Sequence, residues 1–304
     1  MKENDDPNAR IPKPTIARRV VRGVFRLLPD VPVTRNVPLL GRFRFRLRRH
    51  RWLMGSRCFD SHVTNLAMFH RLVRPGDVVY DVGANIGYYV RYVLAHLKPK
   101  AIVAFEPMTE NVELLEQNAK LAGEAGSAIR VVRCALSDHD GQDSLQIDDI
   151  NGGTAVLDSV SGGVASKSRR HRGLPPKSEP VRVMTLDSFL ASEPAMPRPD
   201  VIKIDTEGAE VLVLSGATSL LASSQAPRLL IATHGDQLAR DVVALLARFD
   251  YHCAGYRETG TNGSTSNGYG PLDPAGDWRL LDNNLICSRD RADVEPPLDL
   301  VKVR

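Results

Sequence analysis

The stretch Gly76-Asp-Val-Val-Tyr-Asp-Val-Gly-Ala-Asn-Ile-Gly87 constrains this chain more than any other. Val78, Val79, Tyr80 and Val82 form the near-continuous apolar run expected of a parallel strand buried on both faces. The run stops at Gly83-Ala84-Asn85-Ile86-Gly87, and a segment of helical composition, 88–97, follows. Strand, glycine turn and helix start together bring backbone N–H groups close to a ligand. The spacing is GxxxG, whereas the pyrophosphate fingerprint GxGxxG would need a glycine where Asn85 stands. Asp81, on the approach to the turn, repels a diphosphate and suits an ammonium group. An amino acid head joined to a sulfonium, as in S-adenosylmethionine, fits that charge pattern better than a dinucleotide does. Taken alone, the stretch also fits a tight turn in another kind of α/β protein.

The flanking chain supplies the expected rhythm. Strands at 77–82, 101–106, 129–134, 201–204 and 228–233 alternate with helices at 60–73, 87–97, 109–122 and 238–249, which implies βαβ units and a parallel sheet. Segments 251–256 and 284–287 are expected to close it as an antiparallel pair. Residues 151–180 break the pattern with Asn151-Gly-Gly, Ser161-Gly-Gly and the basic run Ser166-Lys-Ser-Arg-Arg-His-Arg-Gly173. They read as loops, either a substrate-facing lid or a solvated insertion. Residues 259–277, rich in Gly, Ser, Thr and Asn, read as a flexible loop.

The 304 residues suffice for one large α/β domain with appendages. No apolar run approaches the ~18 residues that span a bilayer, and the polar, proline-containing start lacks a secretory h-region. Cys58, Cys134, Cys253 and Cys287 show no CxxC pairing and read as reduced thiols rather than disulfides or metal ligands. These features point to the cytoplasm, with no metal site. Charge is distributed unevenly: residues 1–57 carry 15 Lys and Arg against 4 Asp and Glu, although the whole chain is only +4. The globular part is therefore acidic and the arm before it strongly basic. Within the arm a helix is expected at 15–28, and Arg42-Phe-Arg-Phe-Arg-Leu-Arg48 alternates as a strand with Phe43, Phe45 and Leu47 on one face. Three readings compete: a peripheral contact with an anionic surface such as the inner face of a membrane, a contact with nucleic acid, or an edge strand packed on the domain with its arginines in water. Nucleic acid is the least favoured.

Ligands of open α/β sheets bind beyond the carboxyl ends of the strands, and four strand tips here carry polar residues. The first offers Asp81, Gly83, Asn85 and Gly87. The second offers Glu106, an acid placed to accept both ribose hydroxyls of a nucleoside. The third ends near Ser137 and Asp138, where an adenine edge would lie. The fourth offers Asp205, Glu207 and Glu210, of which Glu210 reads as an acid decorating a helix N-terminus. His234 follows the 228–233 strand and is the candidate base, with Asp205 and Glu207 as alternatives.

Asp81-Val-Gly-Ala-Asn-Ile-Gly87, Phe105-Glu-Pro107, Thr185-Leu-Asp187 and Ile202-Lys-Ile-Asp-Thr-Glu-Gly-Ala-Glu210 with Gly216 together resemble the FkbM family of S-adenosylmethionine-dependent methyltransferases. The resemblance runs over about 60–249. It implies a class I, Rossmann-like methyltransferase fold: a seven-stranded, mostly parallel sheet ending in an antiparallel hairpin. It also implies O-methylation of a small-molecule, glycan or glycolipid acceptor. The expected organisation is a basic arm at 1–57, a methyltransferase domain at 58–290 with the 151–180 insertion, and a tail at 291–304. Ala232 stands where the family often shows an acid before the histidine, which leaves the partner of His234 undefined. Rival readings are an RNA-directed methyltransferase, for which the Asn/Asp-Pro-Pro-Tyr/Phe and Pro-Cys signatures are absent, and a non-catalytic S-adenosylmethionine-binding surface scaffold.

Overall fold

All five residues of Val78–Val82 and all four of Val201–Ile204 are buried, so both segments must be interior strands of a sheet covered on each face. The computed structural model describes residues 29–55, 63–148, 154–161, 167–171, 173–259 and 266–295. Its strands, in chain order, are β1 (Pro32–Val37), β2 (Gly41–Arg46), β3 (Val78–Val82), β4 (Ala101–Phe105), β5 (Ile129–Val132), β6 (Ala135–Leu136) and β7 (Gly141–Asp148). There follow β8 (Thr154–Leu157), β9 (Ser178–Met184), β10 (Val201–Ile204), β11 (Arg228–Ala232), β12 (His252–Thr259), β13 (Ser266–Pro271) and β14 (Trp278–Ser288).

The main sheet runs β13-β12-β14-β11-β10-β3-β4-β5, parallel from β11 through β5 and antiparallel at the other end. The fold is therefore α/β with a large, mostly parallel sheet. Its two faces separate cleanly along β3. Val78, Tyr80 and Val82 pack with Leu214, Val242 and Leu246 on one side, while Val79 packs with Leu66, Val93 and Leu115 on the other. This is the period-two alternation of a strand with helices on both faces.

Two expectations for the loops are corrected. Residues 259–277 contain β13, which pairs with β12 and makes the sheet eight strands wide rather than seven. Residues 151–180 contain β8 and the start of β9, which join β6 and β7 in a second sheet ordered β6-β9-β7-β8. The apolar positions Leu145, Ile147, Leu157, Val181 and Val183 give that sheet its own small core with Met108 and Ala135. Polar neighbours hid those positions from a search for apolar runs.

The arginine-rich strand packs on the domain. Phe43 and Phe45 are fully buried against the helices Tyr88–His96 and Thr109–Lys120, and β2 pairs with β1 in a separate two-stranded hairpin. The Asn118 side chain grips β2 from below: its Oδ1 accepts from Arg44 N at 2.7 Å and its Nδ2 donates to Arg44 O at 2.9 Å. Arg49 donates to Glu110 at 2.6 Å and pairs with Asp30 at 2.8 Å, and Arg46 also pairs with Glu110. Arginines so engaged anchor the hairpin to the domain. At the other end of the chain, Asp293 and Val294 are buried, and Asp293 pairs with Arg74. The helix expected at 15–28, Cys58 and residues 296–304 lie outside the described residues.

Phe45→Ala should lower the unfolding free energy by about 3–5 kcal/mol, the usual cost of emptying a buried aromatic site. Urea denaturation followed by circular dichroism reads it, and an unchanged midpoint would show that the hairpin contributes nothing to the core.

Candidate functional site

The sheet changes direction of growth between β3 and β10: β4 and β5 lie to one side, β11 and β14 to the other. Such a switch point leaves a crevice beyond the strand ends, where ligands of this architecture bind. Here the crevice begins at Gly83. Its φ is +78°, and an added Cβ would lie 2.0 Å from the Asp205 carbonyl oxygen, so only glycine lets the two strand ends approach this closely. Asn85 sits in the left-handed region at φ 51°, which its short polar side chain tolerates.

A cleft opens above this turn. Glu106 sits in its wall, 5 % exposed. Its Oε2 accepts from Asn85 N at 2.8 Å, and its Oε1 accepts from Met108 N at 3.0 Å and Asn111 Nδ2 at 3.2 Å. Burial pushes its pKa up to about 7 against these bonds. Ala135 and Leu136 form an apolar side of the cleft, and Thr154, Ala155 and Leu157 of β8 cover it. A second lobe shares Gly83, Asn85, Thr154 and Asp205 with the first.

Charged groups gather at the tip of β10. Lys203 stands directly opposite Asp81 in the β3–β10 register. Its Nζ donates to Asp81 Oδ1 at 3.0 Å, lies 3.6 Å from Asp205 Oδ2, and sits 4.8 Å from the Tyr89 ring centre. Burial opposes the ammonium charge, but Asp81 and Asp205 outweigh it and hold the Lys203 pKa above its ordinary value. Beyond the tip, His234 Nδ1 lies 3.2 Å from Glu210 Oε1, while His234 Nε2 lies 3.4 Å from Glu207 Oε2 and 3.9 Å from Asp205 Oδ1. The Glu210 hydrogen bond, reinforced by Glu207 and Asp205 against desolvation, pushes the His234 pKa up to about 9. Glu210 itself has no exposed surface and also accepts from Thr206 N at 3.1 Å and Gly208 N at 3.2 Å. Burial works against its charge, but His234 and the backbone donors keep its pKa below the usual carboxylate value. Desolvation raises that of Glu207.

The structure sorts the residues singled out in the sequence. Gly83, Asn85, Glu106, Asp205 and Glu207 line the cleft. Asp81 lies beneath it and faces Lys203. Gly87 serves packing, because a Cβ there would meet Leu115 Cδ1 at 2.5 Å. Ser137 is fully buried and Asp138 pairs with His139, so neither lines the cleft; Ala135 and Leu136, just upstream, do. Glu210 opens the helix Glu210–Ser215, as expected of an acid at a helix N-terminus, and is in addition the partner of His234. It supplies from a neighbouring element the acid that Ala232 does not. Lys203 passed as an ordinary strand residue, although a lysine inside an otherwise apolar strand is itself a signal of a buried ion pair.

The mostly parallel sheet with its crevice at the switch point is a Rossmann-like architecture. The model of the methyltransferase FkbM domain matches residues 81–253, more than half the chain, and the chain belongs to that family. It is 39% identical over 94 residues to 31-O-demethyl-FK506 methyltransferase FkbM of Streptomyces tacrolimicus, covering 30% of this chain and 32% of that protein. It is 28% identical over 171 residues to the hexuronic acid methyltransferase AglP of Haloferax volcanii, covering 56% and 62% respectively. The chain thus spans less than two thirds of the length of these relatives. The crystal structure of a methyltransferase FkbM from Methylobacillus flagellatus KT superposes with a TM-score of 0.44 at 16% identity, covering 77% of this chain and 59% of that one.

Because the folded-state pKa of His234 is raised to about 9 from 6.5, its contribution to stability is complete below pH 6.5 and lost as pH rises through 9. Glu210→Gln should bring the His234 ring titration, followed by NMR, down by at least about one unit. A titration that stays near 9 would remove Glu210 as its partner.

Proposed function

We propose that this chain transfers a methyl group from S-adenosylmethionine to a hydroxyl of a sugar, glycolipid or secondary metabolite. The observation that carries this reading is the meeting, at one switch point, of a nucleoside-type wall and an acid–base cluster. Glu106 and the apolar side at Ala135 and Leu136 suit a ribose and an adenine. Asp81 Oδ2 is buried with no partner among the described residues, an acceptor suited to the ammonium of an amino acid head. Asp205 and Glu207 place negative charge where a sulfonium is favoured. The residues present therefore fit the cofactor. Relatives named for a hexuronic acid and for an FK506 derivative support a hydroxylated acceptor.

The cofactor supplies a methyl group on a positively charged sulfur that leaves with the bonding electron pair. The protein's task is then positioning, worth roughly 7–11 kcal/mol when well achieved, together with exclusion of water and removal of the acceptor proton. We assign the last step to His234, which stands beside the cleft residues Asp205 and Glu207 without itself lining the cleft. Glu210 holds its Nδ1, which leaves Nε2 directed toward Glu207 and Asp205 at the cleft. With a pKa of about 9, the imidazole is protonated at neutral pH and only about one ring in a hundred is free to act as base. A cation brought into the cleft lowers that pKa by repulsion, so occupancy of the site prepares the base. The arginine-rich hairpin and the arm before it remain a candidate contact for an anionic membrane surface; among the described residues no helix is long and apolar enough to cross one.

Labelled-methyl transfer into lipid, glycan, RNA and small-molecule fractions tests the reaction; label entering only RNA, or none at all, would overturn it. Glu106→Ala should weaken binding of S-adenosylhomocysteine in calorimetry by roughly tenfold or more, the loss expected for hydrogen bonds to a charged group. His234→Ala should lower kcat about 10²–10⁴-fold with little change in that affinity. In the unaltered enzyme kcat/KM should rise tenfold per pH unit and level off near 9 or below; a flat profile excludes His234 as the base.

A further inference from the structure

The second lobe of the cleft differs in chemistry from the first. Aromatic side chains form much of its wall: Trp52 lies 5.4 Å from the Tyr88 ring, and Tyr88 meets Tyr89 edge-on at 4.8 Å. His50 completes that side, and its Nδ1 accepts from Arg46 N at 3.1 Å. His50 and Trp52 belong to the segment that follows the β1–β2 hairpin, outside the residues matched by the family model. Part of this lobe is thus built by residues outside the span of the family match.

Among the described residues that line the lobe, the charged ones are Lys203 and Asp205. Lys203 is already shared between Asp205 and the Asp81 beneath it. One ammonium facing two carboxylates leaves a net negative floor, which repels an anionic ligand. An amino acid tail with its ammonium toward Asp81 would take the polar floor at Lys203 and Asp205 and leave the aromatic wall to the acceptor. A pyranose ring has the matching character. Its C–H faces are apolar and pack on aromatic rings by dispersion, while its hydroxyls lie around the edge.

We propose that this lobe is the acceptor subsite and that it selects an uncharged hexose-type ring, held by one face on Trp52 and Tyr88, over the corresponding uronate. The inference rests on the reading of the site as a methyl-transfer centre, and it narrows the acceptor class. Asp205, common to both lobes, is the point at which the acceptor's hydroxyl edge meets the methyl-donor side. Trp52 is then a specificity-determining residue, with no part in holding the cofactor.

The test uses the full chain saturated with S-adenosylhomocysteine and saturation-transfer NMR with methyl glucoside and methyl glucuronide as probes. Saturable binding of the glucoside, at least tenfold weaker binding of the glucuronide, and loss of glucoside binding in Trp52→Ala are expected. Trp52→Phe, which keeps a ring, should restore most of the binding, and both variants should bind S-adenosylhomocysteine as the unaltered chain does. Because Trp52 is 36% exposed, its truncation leaves the core intact. A tenfold loss of S-adenosylhomocysteine affinity in Trp52→Ala would assign the lobe to the cofactor's tail and overturn the proposal. So would glucuronide binding as tight as glucoside binding, or no saturable binding of either. If the unaltered chain fails to bind S-adenosylhomocysteine, the methyl-transfer reading itself falls, and this proposal with it.

Discussion

The ion pair between Lys203 and Asp81 is the interaction on which the site depends. The two residues face each other across β3 and β10, the strands between which the sheet changes its direction of growth. Both are almost wholly withdrawn from water, so each charge is tolerated only because the other is there. Removing one partner of such a pair costs about 3–5 kcal/mol, because it strands the survivor. The pair fixes the side-chain positions of adjacent strands, and both the glycine turn and Asp205 hang from those strand ends. Asp205 N donates to Val82 O at 3.0 Å, and Gly83 N donates to Phe105 O at 3.0 Å. Three strand tips are thereby tied into one rim, which lets residues far apart in sequence form one cleft.

The central parallel strands and their helices were legible in the sequence because burial on both faces leaves runs of apolar residues that local inspection can find. Strands β7, β8 and β13 were not. Each keeps one polar face or carries glycine and serine, so its strand character comes from the partner it pairs with. The same division holds at the site. Gly83, Asn85, Glu106 and Asp205 could be placed at the cleft because each occupies a strand tip, a position that sequence fixes. Glu210 could not, because its role depends on His234, which arrives from a different strand 24 residues away. Trp52 gave no signal at all, since nothing local marks an aromatic residue as the wall of a site built mainly by residues later in the chain.

The acidic residues around His234 differ in what surrounds them, and so in what they do. Glu210 is enclosed, and its Oε1 gathers His234, Thr206 N and Gly208 N, which keeps it ionised and fixed. Glu207 is less well supplied with donors, so desolvation moves its pKa upward. Asp205 stands between Lys203 and His234 and touches both lobes of the cleft. One holds the imidazole, one can share its proton, and one meets the ligand side. Similar carboxylates thus take separate tasks from their neighbours alone.

Asn118 has a consequence for how the molecule opens. The same amide that grips β2 also donates to Ile86 O at 2.8 Å, inside the glycine turn. The β1–β2 hairpin and the turn therefore share one clamp and belong to a single unit of local unfolding. A ligand resting on the turn slows the release of a hairpin it never touches. Amide exchange along β2 then reports occupancy of the cleft through that shared amide.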